Sequence, residues 1–220
     1  MSISGSVRVW DIPTRVFHWL VVGLVFFSWG SAEYGHMDLH RLSGSILLGL
    51  VTFRIIWGFI GSNTARFANF LRWPWQVYAY LRTPAGRHAP GHNPLGAYSV
   101  IAMLLLLLLQ IGSGLFSVDI DGLESGPLSR FVSFDLGRKF AGIHHISFTL
   151  LQIVVAVHIL AILFYLVIRR RNLVFPMITG RDRQIESSEG QLTTAGLGRF
   201  AVAAAVGLAV STWTALGMPL

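Results

Sequence analysis

The sequence predicts an all-α integral membrane protein. Of its 220 residues, 53% are hydrophobic and only 12% are charged, and the mean hydropathy is +0.61. Soluble domains carry about 25% charged residues, so this chain has roughly half the charge expected of a water-exposed surface. Apolar runs also recur at about 20 residues, which is the length that a bilayer-spanning helix needs. The low charge content and the long apolar runs are both expected of a chain that crosses a membrane several times.

Five apolar segments approach the spanning length. The third contains six consecutive leucines, and the fifth is shorter and rich in alanine. A cleaved signal peptide is a competing interpretation of the first segment, but such a peptide has no use for the histidine and the tryptophans within and beside it. The predicted segments are Val16–Ala32, Leu42–Ile60, Leu95–Phe116, Ile143–Ile168 and Phe200–Leu216.

Cysteine and charge restrict the possible functions. The absence of cysteine excludes disulfides, iron–sulfur clusters, thiolate ligation and covalently attached c-type haem. The net charge of +7 comes from 16 arginines and Lys139, set against 10 acidic residues. These basic residues lie at the ends of apolar runs, which is typical of membrane-protein loops rather than of a nucleic-acid-binding surface.

The distribution of basic residues predicts the orientation of the chain in its membrane. The N-terminal arm, the connection 61–94 and the stretch after the fourth segment hold 12 of the 17 basic residues. The connections 33–41 and 117–140 hold six acidic residues. Because cytoplasmic loops carry the excess of arginine and lysine, we expect a multi-pass protein with a cytoplasmic N-terminus.

Histidines inside the apolar segments are the candidate functional residues, since ionisable groups in a membrane are costly. His144 and His158 are 14 residues apart on the fourth segment. That spacing is about 40° short of four helical turns, so the two side chains share one face, about 21 Å apart along the axis. His145 points elsewhere. Two histidines on one face predict axial ligands to two stacked haem groups.

Depth in the membrane predicts the second ligand of each haem. His158 and His18 both lie toward the cytoplasmic side, near the end of the fourth segment and the start of the first. His144 and His40 both lie toward the outer side. We therefore predict two pairs of iron ligands, His18 with His158 and His40 with His144.

Glycines and arginines near these histidines are further candidates for cofactor binding. Gly23 and Gly44 permit the close helix approach that a flat ring requires. Arg15, Arg41 and Arg54 could pair with haem propionates, because guanidinium groups match carboxylates well. For Arg15 and Arg41, an interfacial side chain reaching toward the lipid headgroups is an equally supported interpretation.

The remaining histidines support other, weaker hypotheses. His36 and His40 have a zinc-like spacing, but a third histidine is missing. His88 and His92 lie in a polar connection, which indicates a surface position. A haem-free scaffold or transporter, with the membrane histidines as hydrogen-bonding groups or a proton relay, predicts a colourless protein.

Five stretches together resemble the bacterial di-haem membrane cytochrome b family. This family includes the B-type cytochrome subunits of nickel–iron hydrogenases and formate dehydrogenases, and superoxide-oxidising quinone reductases. The resemblance covers roughly residues 7–185, and its motifs are specific only in combination. The stretches are VWDIPTRVFHWLVVGLV (Val9–Val25), LHRLSGSILLGLVTFRIIWGFIGS (Leu39–Ser62), GHNPLGAYS (Gly91–Ser99), HHISFTLLQIVVAVHI (His144–Ile159) and RRNLVFPMITG (Arg170–Gly180).

The resemblance implies a four-helix transmembrane bundle that binds two b haems. By motif position, its iron ligands fall on His18, His40, His144 and His158. Residues 1–185 would then form the di-haem cytochrome b domain, and 186–220 a linker with a fifth transmembrane helix. That fifth helix departs from the four-helix pattern and leaves the subfamily open.

The resulting functional hypothesis is an electron-transfer subunit of a quinone-linked respiratory oxidoreductase. Electrons would pass through two haems between a quinone/quinol pool and a partner redox protein on the non-cytoplasmic side. That partner would be a cytochrome c or a dehydrogenase or hydrogenase subunit, and no catalytic residue is assigned. The alternative is a self-sufficient superoxide:quinone oxidoreductase, although the acidic outer connections disfavour attraction of an anion.

Overall fold

The computed structural model describes residues 6–82, 94–121, 123–183 and 192–217. His88 and His92 lie outside these described residues. The described helices are α1 (Ile12–Glu33), α2 (Met37–Ile60), α3 (Phe67–Phe70), α4 (Pro74–Arg82), α5 (Pro94–Phe116), α6 (Phe134–Val167), α7 (Val174–Thr179) and α8 (Leu197–Ala215). Five of them, α1, α2, α5, α6 and α8, are long and apolar enough to cross a membrane, which confirms the predicted all-α membrane class.

All five spanning helices begin earlier than their hydropathy suggests, and the shift is largest for α6 and α2. Helix α6 starts at Phe134 rather than at 143. The Ser133 hydroxyl accepts the backbone N–H of Leu136 at 3.4 Å, and Asp135 favours the positive end of the helix dipole in the first turn. Helix α2 starts at Met37, so His40 lies inside its first turn. Polar residues that support these helix starts also lower the local hydropathy.

The chain divides into two compact units, and each spanning helix contributes one part to each unit. The first unit contains Met1–Val16, Ile55–Ala102 and Val155–Ala201. The second unit contains Phe17–Arg54, Met103–Val154 and Val202–Leu220.

In the first unit, the N-terminal arm is bound to the chain that follows α7. Strand β1 (Val7–Arg8) pairs antiparallel with β2 (Arg181–Asp182). The carbonyl of Gly180 accepts the backbone N–H groups of Val9 at 2.8 Å and Trp10 at 3.2 Å. Gly180 has a φ of 79°, and an added Cβ would lie 2.9 Å from the Trp10 carbonyl oxygen. Only glycine therefore satisfies both the backbone angle and the close approach.

Asp11 joins the start of α1 to the end of α2 within this unit. Its carboxylate accepts the backbone N–H of Thr14 at 2.9 Å, as an N-cap does. The same carboxylate accepts the indole N–H of Trp57 at 2.9 Å and the hydroxyl of Ser62. Asp11 is 3% exposed, and both side-chain donors are also buried. One carboxylate thus satisfies three donors that have little access to water.

We predict that Asp11→Ala lowers the free energy of unfolding by about 2–4 kcal/mol. Loss of an N-cap costs about 1 kcal/mol, and an unsatisfied buried donor costs about 1–3 kcal/mol. Asp11→Asn, which keeps one acceptor oxygen, should lose less. Unfolding in mixed detergent micelles measures both variants, and an Asp11→Ala variant as stable as the parent would contradict the assigned role.

In the second unit, α8 packs against α2 through two glycines. A Cβ added to Gly49 would lie 2.6 Å from the Gly207 carbonyl oxygen, and a Cβ added to Gly207 would lie 2.6 Å from the Gly49 carbonyl oxygen. Ser211 also contacts Gly49 closely. Small residues of this kind let membrane helices approach at the backbone. The fifth apolar helix is therefore an integral part of this unit.

We predict that Gly207→Ala destabilises the protein by about 1–3 kcal/mol, because overpacking a tight contact forces the backbone to move. Gly198→Ala is the matched control on the same helix, since a Cβ added to Gly198 has no neighbouring atom within 4 Å in the described structure. Thermal unfolding in detergent measures the difference. Equal stability of the two variants would show that the glycine contact is not tight.

Candidate functional site

The second unit contains an open cavity of about 420 Å³ between α1, α2, α5, α6 and the segment that follows α5. Its volume lies in the range of small-molecule and cofactor sites. Most of its wall is apolar, with contributions such as Leu47, Leu107 and Ile111. His40 and His144 both line it. The two imidazoles share the cavity with a third histidine and with charged groups, which are His145, Arg41, Glu33 and Glu124.

His40 is oriented by α1. Its Nδ1 lies 2.9 Å from the Ser28 carbonyl oxygen and 3.1 Å from the Ser28 hydroxyl. A carbonyl only accepts hydrogen bonds, so Nδ1 of a neutral His40 carries the proton. Nε2 then keeps its lone pair, and no group within the described residues forms a hydrogen bond to it. Metal-binding histidines commonly donate their other ring N–H to a backbone carbonyl in this way.

His144 is oriented in the same way by α5. Its Nδ1 lies 2.8 Å from the Gln110 carbonyl oxygen, which again places the proton on Nδ1. An added Cβ on Gly114 would lie 2.8 Å from Cε1 of the ring. The ring therefore occupies space that only glycine leaves open at this position.

The two imidazoles are separated by the distance of an axial ligand pair. Their ring centroids lie 6.0 Å apart, with an interplanar angle of 87°. A metal ion lies about 2 Å from an imidazole nitrogen, and the ring centre lies about 1 Å behind that nitrogen, so two axial imidazoles have centroids roughly 6 Å apart. The centroid distance is compatible with two imidazoles that bind one metal ion, and both rings line the same cavity; their role as ligands stays a prediction.

The mouth of the cavity is polar. Arg41 forms ion pairs with Asp38 at 2.5 Å and with Glu124 at 2.6 Å. The second pair joins α2 to the segment that follows α5. Both acidic partners are substantially exposed, and such pairs contribute little stability. Gly44 lines the same cavity and leaves open space where a side chain would project.

Arg15 belongs to the first unit. Its guanidinium donates to the carbonyls of Met177, at 3.4 Å, and Ile178 near the end of α7. A cation at this position supports the negative end of the helix. These contacts give Arg15 a structural role, and its pairing with a propionate stays a prediction.

The other predicted residues are distributed over both units. His18, in the second unit, is half-buried and contacts the Trp19 ring edge-to-face at 4.9 Å. His158, also half-buried, belongs to the first unit, and the pairing of these two histidines stays a prediction. Gly23 has no atom within 4 Å of an added Cβ. Arg54, on α2, is 2% exposed.

Sequence reasoning missed the residues that orient the histidines. The sequence assigns no role to three of them: Ser28, Gln110 and Ser147. Gln110 is nevertheless a polar residue at the end of the leucine run. An amide within a membrane helix usually finds a partner on another helix, and this signal was available. Ser28 lies among other small residues and carries no comparable signal.

The fold and the cavity define a polytopic α-helical membrane protein with a histidine-lined interior site of cofactor size. The sequence model of the family described as prokaryotic cytochrome b561 matches residues 9–180. The chain therefore belongs to this family of membrane electron-transfer cytochromes, and the family implies haem b. Helix α8 lies outside the matched residues. Searches of curated proteins and of solved structures found no significant match.

We predict that neutral His40 and His144 carry their protons on Nδ1 in the haem-free chain, because each Nδ1 faces a backbone carbonyl. Nitrogen-15 NMR of histidine-labelled protein measures the tautomers, and single alanine variants assign the signals. His145, whose side chain is exposed, provides the reference. A proton on Nε2 of either residue would contradict the geometry.

Proposed function

We propose that this chain is the membrane electron-transfer subunit of a quinone-linked respiratory oxidoreductase, with two b haems ligated by histidine pairs. The observation that carries the proposal is the 6.0 Å separation of the His40 and His144 rings across a cofactor-sized cavity. Membership of the cytochrome b561 family supports haem b as the group bound there.

The protein's contribution at this site is ligation and orientation. Bound haem b supplies a reversible one-electron iron couple. His40 and His144 would both bind the iron, and a haem held by two histidines would favour electron transfer over oxygen binding. The carbonyls of Ser28 and Gln110 accept from the two Nδ1 groups, which supports Nε2 of each ring as the nitrogen that would bind iron. Apolar side chains form most of the wall around this site.

The second pair, His18 with His158, rests on the helix geometry of α6. The 14-residue spacing from His144 puts His158 on the same helix face about 21 Å away. That distance is a large part of the roughly 30 Å hydrocarbon core. Two haems at these levels would carry electrons across much of the membrane, between a quinone/quinol pool and an outer partner.

The partner is proposed to dock on the segment between α5 and α6. Its apolar side chains Ile120 and Leu123 are 75% and 83% exposed, and Asp121 and Glu124 are exposed beside them. Glu124 also lines the cavity mouth. A basic redox protein such as a cytochrome c complements this charge, as would a basic face on a dehydrogenase or hydrogenase subunit. The same acidic side chains disfavour a superoxide-consuming function, since they repel an anion.

We predict that His144→Ala retains one haem b per chain and stops electron transfer from quinol to an external acceptor. The variant removes one iron ligand of the outer pair and leaves the proposed His18/His158 pair intact. His145→Ala is the matched control, because His145 is adjacent and also lines the cavity but is exposed and is not a proposed ligand. Pyridine haemochrome quantitation on purified, helical and monodisperse protein counts the haems.

The His40→Ala variant provides an independent check of the same site. It removes the opposite ligand on another helix, and we expect the same loss of one haem. Two haems retained by both alanine variants would refute the ligand assignment. An equal loss in the His145→Ala control would refute the choice of His144 over its neighbour.

A further inference from the structure

Gln110 contacts both nitrogens of the His144 ring. Its backbone carbonyl accepts from Nδ1 at 2.8 Å, and its side-chain nitrogen lies 3.0 Å from Nε2. Because Nδ1 carries the proton, Nε2 accepts and the Gln110 amide N–H donates. The buried Ser147 hydroxyl donates to the Gln110 side-chain oxygen at 2.5 Å, which fixes the orientation of the amide.

The two proposed ligands of the outer site therefore differ. Nε2 of His40 has no hydrogen-bond partner within the described part of the chain, whereas Nε2 of His144 accepts from the Gln110 amide. A metal ion needs the same lone pair that this amide uses. Iron and the Gln110 side chain cannot both be bound to His144 Nε2.

We propose that Gln110 is a positioning residue for His144. Its side chain occupies the Nε2 lone pair of His144 before haem binds, and haem must displace this side chain during insertion. The amide holds the imidazole ring in place before loading, and the Ser147 hydroxyl holds the amide. This proposal rests on the proposed ligand role of His144 and adds to it a residue that controls how readily the site accepts haem.

The two contacts of Gln110 can be separated by substitution. Gln110→Leu removes the side-chain donor but leaves the backbone carbonyl, so the tautomer of His144 is retained. The substitution leaves Nε2 without its partner before haem binds and changes no iron ligand. A net hydrogen bond corresponds to a factor of about two to ten in an equilibrium constant, and this factor should appear in the association step.

The test measures haem association and release by stopped-flow Soret absorbance, using hemin and the full-length chain in detergent. A His158→Ala background confines binding to the outer site. Gln110→Leu should raise the association rate about two- to tenfold and leave the release rate unchanged. Ser147→Ala should raise association by a smaller factor. Thr149→Val is the matched control, because among the described residues its hydroxyl bonds to the His145 carbonyl of its own helix alone. It should change neither rate.

A purely structural role of Gln110 predicts a different result. Looser packing would speed haem release, and this result would overturn the proposal. An unchanged or slower association with Gln110→Leu would overturn it as well.

A second measurement needs no haem. In Gln110→Leu, the nitrogen-15 chemical shift of His144 Nε2 should move toward that of an acceptor without a hydrogen bond. No movement would also overturn it. If the unsubstituted chain binds no hemin, the proposed function fails as well, and that outcome is distinct from equal rates in parent and variant.

Discussion

The proton position on two histidines is the constraint on which the proposed site depends. Inside an apolar unit, each imidazole must satisfy its N–H group, and His40 and His144 do so with a carbonyl of a neighbouring helix. The hydrogen bond places the proton on Nδ1, so Nε2 is the nitrogen with the lone pair; in His144 that lone pair accepts from the Gln110 amide. Four helices therefore determine the ligand geometry, although only two of them carry the histidines.

Much of the fold could be predicted from the sequence, because spanning helices have a simple physical requirement. Long apolar runs need internally satisfied backbone groups, and a helix provides them. The boundaries were harder, since Ser133 and Asp135 stabilise the start of α6 while lowering its hydropathy. The short strands at Val7 and Arg181 had no detectable pattern, because two-residue strands have no periodicity.

The candidate site was predictable in part for a related reason. The spacing of His144 and His158 reports a shared helix face directly, so the sequence indicates ligands on one helix. The contacts of Gln110 with His144 link two helices far apart in sequence, and no spacing rule reports them. The ion pair of Arg41 with Glu124 is a second contact that the sequence does not predict, because it depends on how the segment after α5 folds back.

Helix α8 shows how the chain extends the family pattern. It lies beyond the residues matched to the cytochrome b561 family, yet its Gly207 contacts Gly49 of α2 at the backbone. Helix α2 also carries His40 on its first turn. The added helix thus supports an element that bears a proposed ligand.

Haem stoichiometry is the most direct test of the central claim. The purified full-length chain, expressed with adequate haem supply, should show a b-type reduced-minus-oxidised spectrum and two haems per chain by pyridine haemochrome. A colourless protein would contradict the account and leave a polytopic membrane protein whose histidines serve only as hydrogen-bonding groups.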